Sequence, residues 1–285
     1  MRVLLVPNTG NPRAVAAVTE LATWLMGQGI EPVLAHADAT EVGLPDLGVA
    51  PSEADDLALC VALGGDGTLL KAFHLLGEAE TPLLGVKFGR LGFLSGACPE
   101  EMREAVATAL AGEAHIERRS TLQADVIMEG RSVGSYRALN EVVVSRSASS
   151  RVVALDLSID GHRIMSTRAD GIIVATATGS TAYALSAGGP VASPGFAGMI
   201  VVPVAPHTLT ARAIVTDPSD VVEVTLPDPS RADACLVVDG DPTPCRRHIE
   251  RVTVKRGDND VLLVKLGGRH FYETLESEFF GGTGA

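Results

Sequence analysis

The chain has 285 residues, 46 % of them apolar and 20 % charged, a profile that fits a folded protein with a sizeable core and excludes a disordered one. At roughly 150 residues per domain, that length suits one large domain or two modest ones. Lys and Arg total 23 against 35 Asp and Glu, a net charge of −12, which argues against coating nucleic acid or an anionic membrane but still allows a local anion site.

Val3–Val6, closed by Pro7, reads as a first buried strand and not as a signal peptide. Pro12 opens an amphipathic helix with Val15, Val18, Leu21, Ala22 and Leu25 on one face and Gly27 and Gly29 at its stop. Pro32–Ala35 and Leu57–Leu63 read as the second and third strands, followed by a helix from Thr68. Pro82–Lys87 is a fourth strand and Pro99–Leu110 a further helix. Strand and helix in alternation predict a parallel sheet covered on both faces.

Beyond about residue 119 the pattern changes to alternating apolar and polar residues with hairpin turns. Leu155–Ile159 runs into Asp160-Gly161, a favoured hairpin turn. Val221–Leu226, Cys235–Val238 and Val252–Val254 continue the strands. Arg256–Asp260 is expected to turn Val261–Leu266 back as another hairpin, and Phe271–Phe280 to form a closing helix. The uncharged stretch Gly171–Ala211 is long enough to cross a membrane, but glycines and prolines interrupt it throughout. Cys60, Cys98, Cys235 and Cys245 have neither paired nor metal-ligand spacing and read as reduced thiols of a cytoplasmic protein.

Two segments concentrate the chemistry. The strand Leu57–Leu63 ends in Gly64-Gly65-Asp66-Gly67-Thr68 at a helix start. Glycines there permit positive φ and close approach of a ligand, and free N–H groups at a helix start suit a phosphate. Asp66 is the one acid in this anion-friendly turn. It reads either as a general base for a hydroxyl that attacks a phosphate or as a residue that caps the helix. The second segment, Asp170–Ser186, groups Thr178, Ser180 and Thr181 around Gly179, with Tyr183 as a possible stacking face. It suits a ribose, pyrophosphate or adenine edge, or simply a Ser/Thr-rich cap before a short helix. Walker, protein-kinase and G-x-G-x-x-G signatures are absent, so phosphate handling would use another scheme.

The series Gly64-Gly65-Asp66-Gly67-Thr68, Gly89-Arg90-Leu91-Gly92-Phe93-Leu94, Asn140-Glu141, Asp170-Gly171, Thr178-Gly179-Ser180-Thr181-Ala182-Tyr183, Ser186-Ala187-Gly188-Gly189-Pro190 and Pro206-His207-Thr208-Leu209-Thr210-Ala211-Arg212 closely resembles the NAD kinase family. The motifs come in that family's order and cover about residues 1–280. The resemblance implies an α/β N-terminal domain with a parallel sheet, residues 1–118, and a mostly antiparallel β-rich NAD-binding domain, residues 119–267. A C-terminal helix, 268–285, would return to the first domain. It implies ATP-dependent phosphorylation of the adenosine 2′-hydroxyl of NAD, with Asp66 as proton acceptor and Gly67 and Lys71 beside the dinucleotide. Asn140, Glu141, Arg151, Arg168, Asp170, Thr181, Ala182, Tyr183, Ala184, Leu185, Ser186 and Asp241 fall on NAD-contact positions. Gly64, Gly65, Thr68, Thr178, Gly179 and Ser180 would form the phosphate-donor loop.

Three residues depart from the family pattern: Lys87 stands for an asparagine, Ala177 for a proline and Glu278 for a basic residue. Lys87 bears on donor or acceptor choice. The resemblance further implies Mg²⁺ or another divalent cation, ATP or polyphosphate as donor, and a cytoplasmic homo-oligomer, dimer or tetramer, with neither nucleic acid nor membrane as partner. The rival readings are a related kinase for another nucleoside or nucleotide, a non-catalytic NAD(P)-binding sensor, and a lipid kinase. The last is disfavoured because Leu69-Leu70-Lys71 follows Thr68.

Overall fold

In the computed structural model, which describes every residue except 51–55, 90–91, 148–149, 230–232, 247, 267–270 and 282–285, the run Arg2–Pro7 forms β1. Helix α1, Pro12–Gly27, follows; Asn11 caps it by accepting the Arg13 N–H (3.0 Å), and proline occupies its first turn, where no N–H is missed. Ala14, Ala17, Val18, Leu21, Ala22 and Leu25 form its buried stripe. Then come β2, Glu31–Ala35; α2, His36–Glu41; β3, Gly48–Val49; β4, Leu57–Gly64; and α3, Asp66–Leu76, which starts two residues earlier than the pattern implied. Strand β5, Leu83–Lys87, helix α4, Met102–Leu110, after a short 3₁₀ turn, and β6, His115–Arg119, complete this part.

The strand Val261–Lys265 from the far end of the chain joins them, giving a sheet of order β3-β2-β1-β4-β5-(261–265)-β6. The expected hairpin at Arg256–Asp260 is therefore corrected: Val261–Lys265 pairs in parallel with β5, Leu263 opposite Leu83. The cause is burial. Leu263 and Val264 are fully buried, which an antiparallel edge strand would not give them. Residues 1–118 and 261–285 form one compact unit and residues 119–260 a second. The terminal helical turns Phe271–Leu275 and Glu276–Phe280 belong to the first unit. Residues 268–270 and 282–285 of the expected helix, and Arg90 and Leu91 of the Gly89–Leu94 motif, lie outside the described residues.

The second unit is built from β7, Leu122–Met128; β8, Arg131–Ala138; β9, Glu141–Arg146; β10, Val153–Ile159; β11, His162–Ala169; β12, Gly171–Ala175; α5, Tyr183–Ser186; β13, Ile200–Val204; β14, Ile214–Val215; β15, Val222–Thr225; β16, Ala234–Val238; β17, Asp241–Arg246; and β18, Ile249–Arg256. Two six-stranded sheets result, β11-β10-β15-β18-β7-β8 and β14-β13-β12-β9-β16-β17. The β10–β11 hairpin turns at Asp160-Gly161, both at positive φ (48° and 73°). One shared core takes Leu155 and Leu157 from the first sheet and Val142, Val144, Ile172 and Val174 from the second. The intervening Val143, Ile173 and Ala175 pack on the second sheet's other face with Ala184. With both faces covered, Val142–Val144 of β9 and the whole of β12 are unbroken apolar runs, whereas β10 alternates.

Candidate active site

The structure gathers the predicted residues into two clusters, one in each unit. In the first unit they sit at the carboxyl edge of the parallel sheet, where β4 and β5 end in Gly64 and Lys87 and Asn8 follows the end of β1. Gly64 leaves room for the Thr68 side chain and for Asn8; a Cβ there would collide with the Thr68 hydroxyl and lie 2.9 Å from the Asn8 Cβ. Gly64, Gly65 and Gly67 do not adopt positive φ, so the turn needs them for space and not for handedness. Open space surrounds Gly65 and Gly67, so backbone at this turn is approachable.

Asp66 is the first residue of α3. Gly65 occupies the cap position and no side chain caps the helix, which removes the capping reading of Asp66. Its exposed carboxylate instead faces Lys87, Oδ2 to Nζ 3.4 Å. A negative side chain in the first turn of a helix is stabilised by the helix dipole. Thr68 is buried beneath the turn. Lys71, one turn further, is engaged by Asp38 at 2.5 Å; Asp38 is buried, and its second carboxylate oxygen has no partner among the described residues.

In the second unit, register explains the clustering. Ala175 at the end of β12 lies opposite Glu141 at the start of β9, and Val238 at the end of β16 lies opposite Val142. The loops after β8, β12 and β16 thus meet around Asn140. Asp239, in the β16–β17 turn, accepts backbone N–H groups of Leu139 (2.9 Å), Asn140 (2.7 Å) and Glu141 (3.1 Å). Thr176 donates its hydroxyl to the Leu139 carbonyl (2.6 Å) and its N–H to that of Asn140 (2.9 Å). Gly179 abuts the same Asn140 carbonyl so closely that a Cβ would overlap it. Neither Asp239 nor Thr176 was singled out from sequence, although Asp239-Gly240 carries the same hairpin signal as Asp160-Gly161 and the same positive φ pair (49° and 89°).

The hydroxyl cluster serves the fold to a large degree. The Ser180 hydroxyl is fully buried, donates to the Ala177 carbonyl (2.6 Å) and accepts the Ala192 N–H (3.0 Å). Thr178 is buried and accepts from the Arg119 guanidinium (3.2 Å), and Thr181 donates to the Thr178 carbonyl (3.3 Å). Tyr183 and Ser186 are exposed, Thr181, Ala182 and Leu185 half-buried and Ala184 buried. Asp241 is exposed at the start of β17.

Glu141 carries the largest electrostatic perturbation of the cluster. It is 5 % exposed, and one carboxylate oxygen has no partner among the described residues. Burial first, then the Asp239 charge, push it up to about 7, while the Tyr183 backbone N–H pulls the other way. At neutral pH it is part acid, part carboxylate, and so able to donate or to accept toward a sugar hydroxyl.

Asp170, Arg151 and Arg168 are not brought to Asn140. Asp170 precedes β12 at the opposite end of that strand, where Gly171 faces Ser145. Its carboxylate accepts from Arg146 Nε at 2.7 Å. Arg151 and Arg168 are exposed. Among the described residues no group of three or more His, Cys, Asp or Glu could hold a metal ion. Among the described residues no helix is long and apolar enough to cross a membrane.

Comparison with known proteins extends these findings. Residues 3–114 match the ATP-NAD kinase N-terminal domain and residues 139–266 the ATP-NAD kinase C-terminal domain. The NAD kinase of Polaromonas sp. is 39 % identical over 267 residues, 92 % of this chain and 90 % of that protein. That of Ralstonia nicotianae is 38 % identical over 280 residues, 97 % and 91 % respectively. Among solved structures, an NAD kinase from Archaeoglobus fulgidus in complex with ATP superposes with a TM-score of 0.72 at 26 % identity, covering 93 % of this chain and 94 % of its own. A yeast NADH kinase complexed with NADH reaches a TM-score of 0.88 at 24 % identity over 100 % of this chain and 89 % of its own, a likeness of fold. With both domains matched in order and relatives this similar along nearly their whole length, the chain belongs to the ATP-NAD kinase family.

Proposed function

We propose that this kinase transfers the terminal phosphoryl group of ATP to the adenosine 2′-hydroxyl of NAD, with Asp66 accepting the hydroxyl proton. The observation that carries the assignment is the exposed Asp66 carboxylate in a turn lined by approachable glycine backbone, free of any capping role. Phosphoryl transfer asks little covalent chemistry of a protein; positioning, charge neutralisation and one base are enough. In the second unit, Asn140, Glu141 and the Thr181–Ser186 segment are assigned to NAD, supported by the convergence of three loops on Asn140 and by the dual donor and acceptor character of Glu141. Asp170, Arg151, Arg168 and Asp241 are assigned to the same ligand by resemblance. Thr178, Gly179 and Ser180 are assigned the shaping of that loop, since their polar atoms bond to Arg119, Thr176, Ala177 and Ala192.

Among the described residues no group of three or more His, Cys, Asp or Glu would cage a metal ion, and the divalent cation is assigned to the donor, entering as the counter-ion of the triphosphate. A homo-oligomer is supported by the apolar surface of the C-terminal turns, where Tyr272, Phe279 and Phe280 are 65 %, 46 % and 70 % exposed. A cytoplasmic setting is supported by the free Cys60, Cys98 and Cys235. The test is an assay of the purified chain with NAD⁺, NADH and a panel of nucleosides and nucleotides as acceptors, and ATP or polyphosphate as donors, products identified by mass. NADP from NAD⁺ and ATP, lost in excess EDTA and regained with Mg²⁺, is expected. Phosphorylation of another acceptor in preference to NAD⁺ and NADH would overturn the substrate assignment. Light scattering on the same sample reads the oligomer.

A further inference from the structure

The Lys87–Asp66 pair has no evident purpose in the fold. Lys87 closes β5 with its side chain 24 % exposed, Asp66 opens α3 with its side chain 48 % exposed, and the two heads meet at 3.4 Å. A pair so open to water contributes little to stability. Yet space is set aside for it: a Cβ on Gly92 would lie 2.5 Å from Lys87 Nζ and 3.2 and 3.3 Å from the two Asp66 oxygens. Three separate segments, the turn after β4, the end of β5 and Gly92, thus converge on one ammonium and one carboxylate.

An unshielded carboxylate beside a triphosphate would repel it, and Lys87 offsets that charge where it arises. Its ammonium has three N–H donors, of which Asp66 engages one. We propose that Lys87 is a phosphate-binding residue of this kinase, bridging Asp66 and the phosphoryl group in transfer; the proposal rests on the reading of Asp66 as the proton acceptor. In the step, the 2′-O–H bond breaks and its proton goes to Asp66. The oxygen forms the new O–P bond, and the bond from phosphorus to the β-phosphate oxygen breaks, releasing ADP. As Asp66 takes the proton its charge disappears. The ammonium, shared at the start, is then left wholly to the transferring phosphoryl oxygens. The contact therefore strengthens toward the transition state, and Lys87 should affect turnover as well as donor binding.

The test compares wild type, Lys87→Met and Lys87→Arg, each with and without Asp66→Asn. It uses steady-state kinetics and calorimetric binding of a non-hydrolysable ATP analogue with Mg²⁺, after thermal melts confirm folding. Lys87→Met is expected to weaken analogue binding about 10-fold and to lower kcat about 10-fold, leaving KM for NAD within about 2-fold. Lys87→Arg should recover most of the analogue affinity, because charge and reach are retained. In the Asp66→Asn background the same loss of analogue binding should persist. Unchanged analogue binding in a folded Lys87→Met protein, or Lys87→Arg no better than Lys87→Met, would overturn the proposal. Retained turnover in Asp66→Asn would instead overturn the base assignment, while the binding measurement still decides the role of Lys87.

Discussion

A base that takes a proton only while the hydroxyl attacks should matter to turnover more than to affinity. Asp66→Asn keeps the shape of the turn and removes the basicity, so kcat is expected to fall by roughly 10²-fold or more while the KM values move little. Near wild-type turnover would contradict it. Glu141 gives a prediction of another kind. Its folded value of about 7 lies above the ordinary 4.5 of a glutamate. Between those two pH values the folded chain holds a proton that the unfolded chain has lost, so stability falls as pH rises through the window. The stability present below pH 4.5 is gone once pH passes about 7. At 1.36 kcal/mol per pH unit of displacement, the whole drop is of order 3 kcal/mol. Glu141→Gln removes the titration, so urea unfolding from pH 4.5 to 8 should show a flatter pH dependence in the variant. Parallel curves for the two proteins would mean that Glu141 does not titrate in this window.

At the scale of elements, the ends of β9, β12 and β16 form one device for presenting Asn140, and Gly179 is its tightest point. A methyl group there meets the Asn140 carbonyl, which is backbone and cannot swing aside. Gly179→Ala is expected to cost about 1–3 kcal/mol and to raise KM for NAD more than KM for ATP. Gly67→Ala meets nothing within 4 Å and lies in the first turn of α3, so it should be neutral or stabilising by up to about 1 kcal/mol. Equal melting temperatures for the two variants would contradict this contrast. Of the strands that carry this device, β16 was legible at Cys235–Val238, whereas β9, whose apolar run is only Val142–Val144 between Glu141 and Ser145, was not read as a strand. The clamp was not legible. Asp239 acts on backbone N–H groups about 100 positions away in the chain, and backbone partners leave no mark on residue type. Likewise Lys87 stood out in the sequence only as an unusual residue; its contact with Asp66 depends on β4 and β5 ending side by side. The Arg256–Asp260 turn misled because local turn chemistry is the same whichever sheet the next strand joins. The better signal was Val261-Leu262-Leu263-Val264, an apolar run without alternation.

For the whole molecule the consequential feature is that the chain leaves its first unit at residue 118 and returns to it at residue 261. The returning strand lies inside the seven-stranded sheet, between β5 and β6, and contributes Leu263 and Val264, both fully buried. Lys265 also donates to the carbonyls of Phe93 (3.1 Å) and Ser95 (3.0 Å), tying down the segment that follows Gly92. A chain ending at Asp260 loses three buried apolar side chains, Val261, Leu263 and Val264, at about 1.5–3 kcal/mol each. It also leaves β5 with an unpaired edge. Set against a typical total of about 5–15 kcal/mol, that loss should unfold the first unit. The second unit, residues 119–260, keeps both of its sheets and its core in the shortened chain. Hydrogen exchange should therefore show β1, β4 and β5 exchanging freely while β9 and β12 stay protected, with kinase activity abolished. Leu263→Ala in the full chain should give the milder form, a loss of about 2–5 kcal/mol with the same regional bias. Protection of β4 and β5 that survives truncation at Asp260 would show that the first unit does not depend on the returning strand.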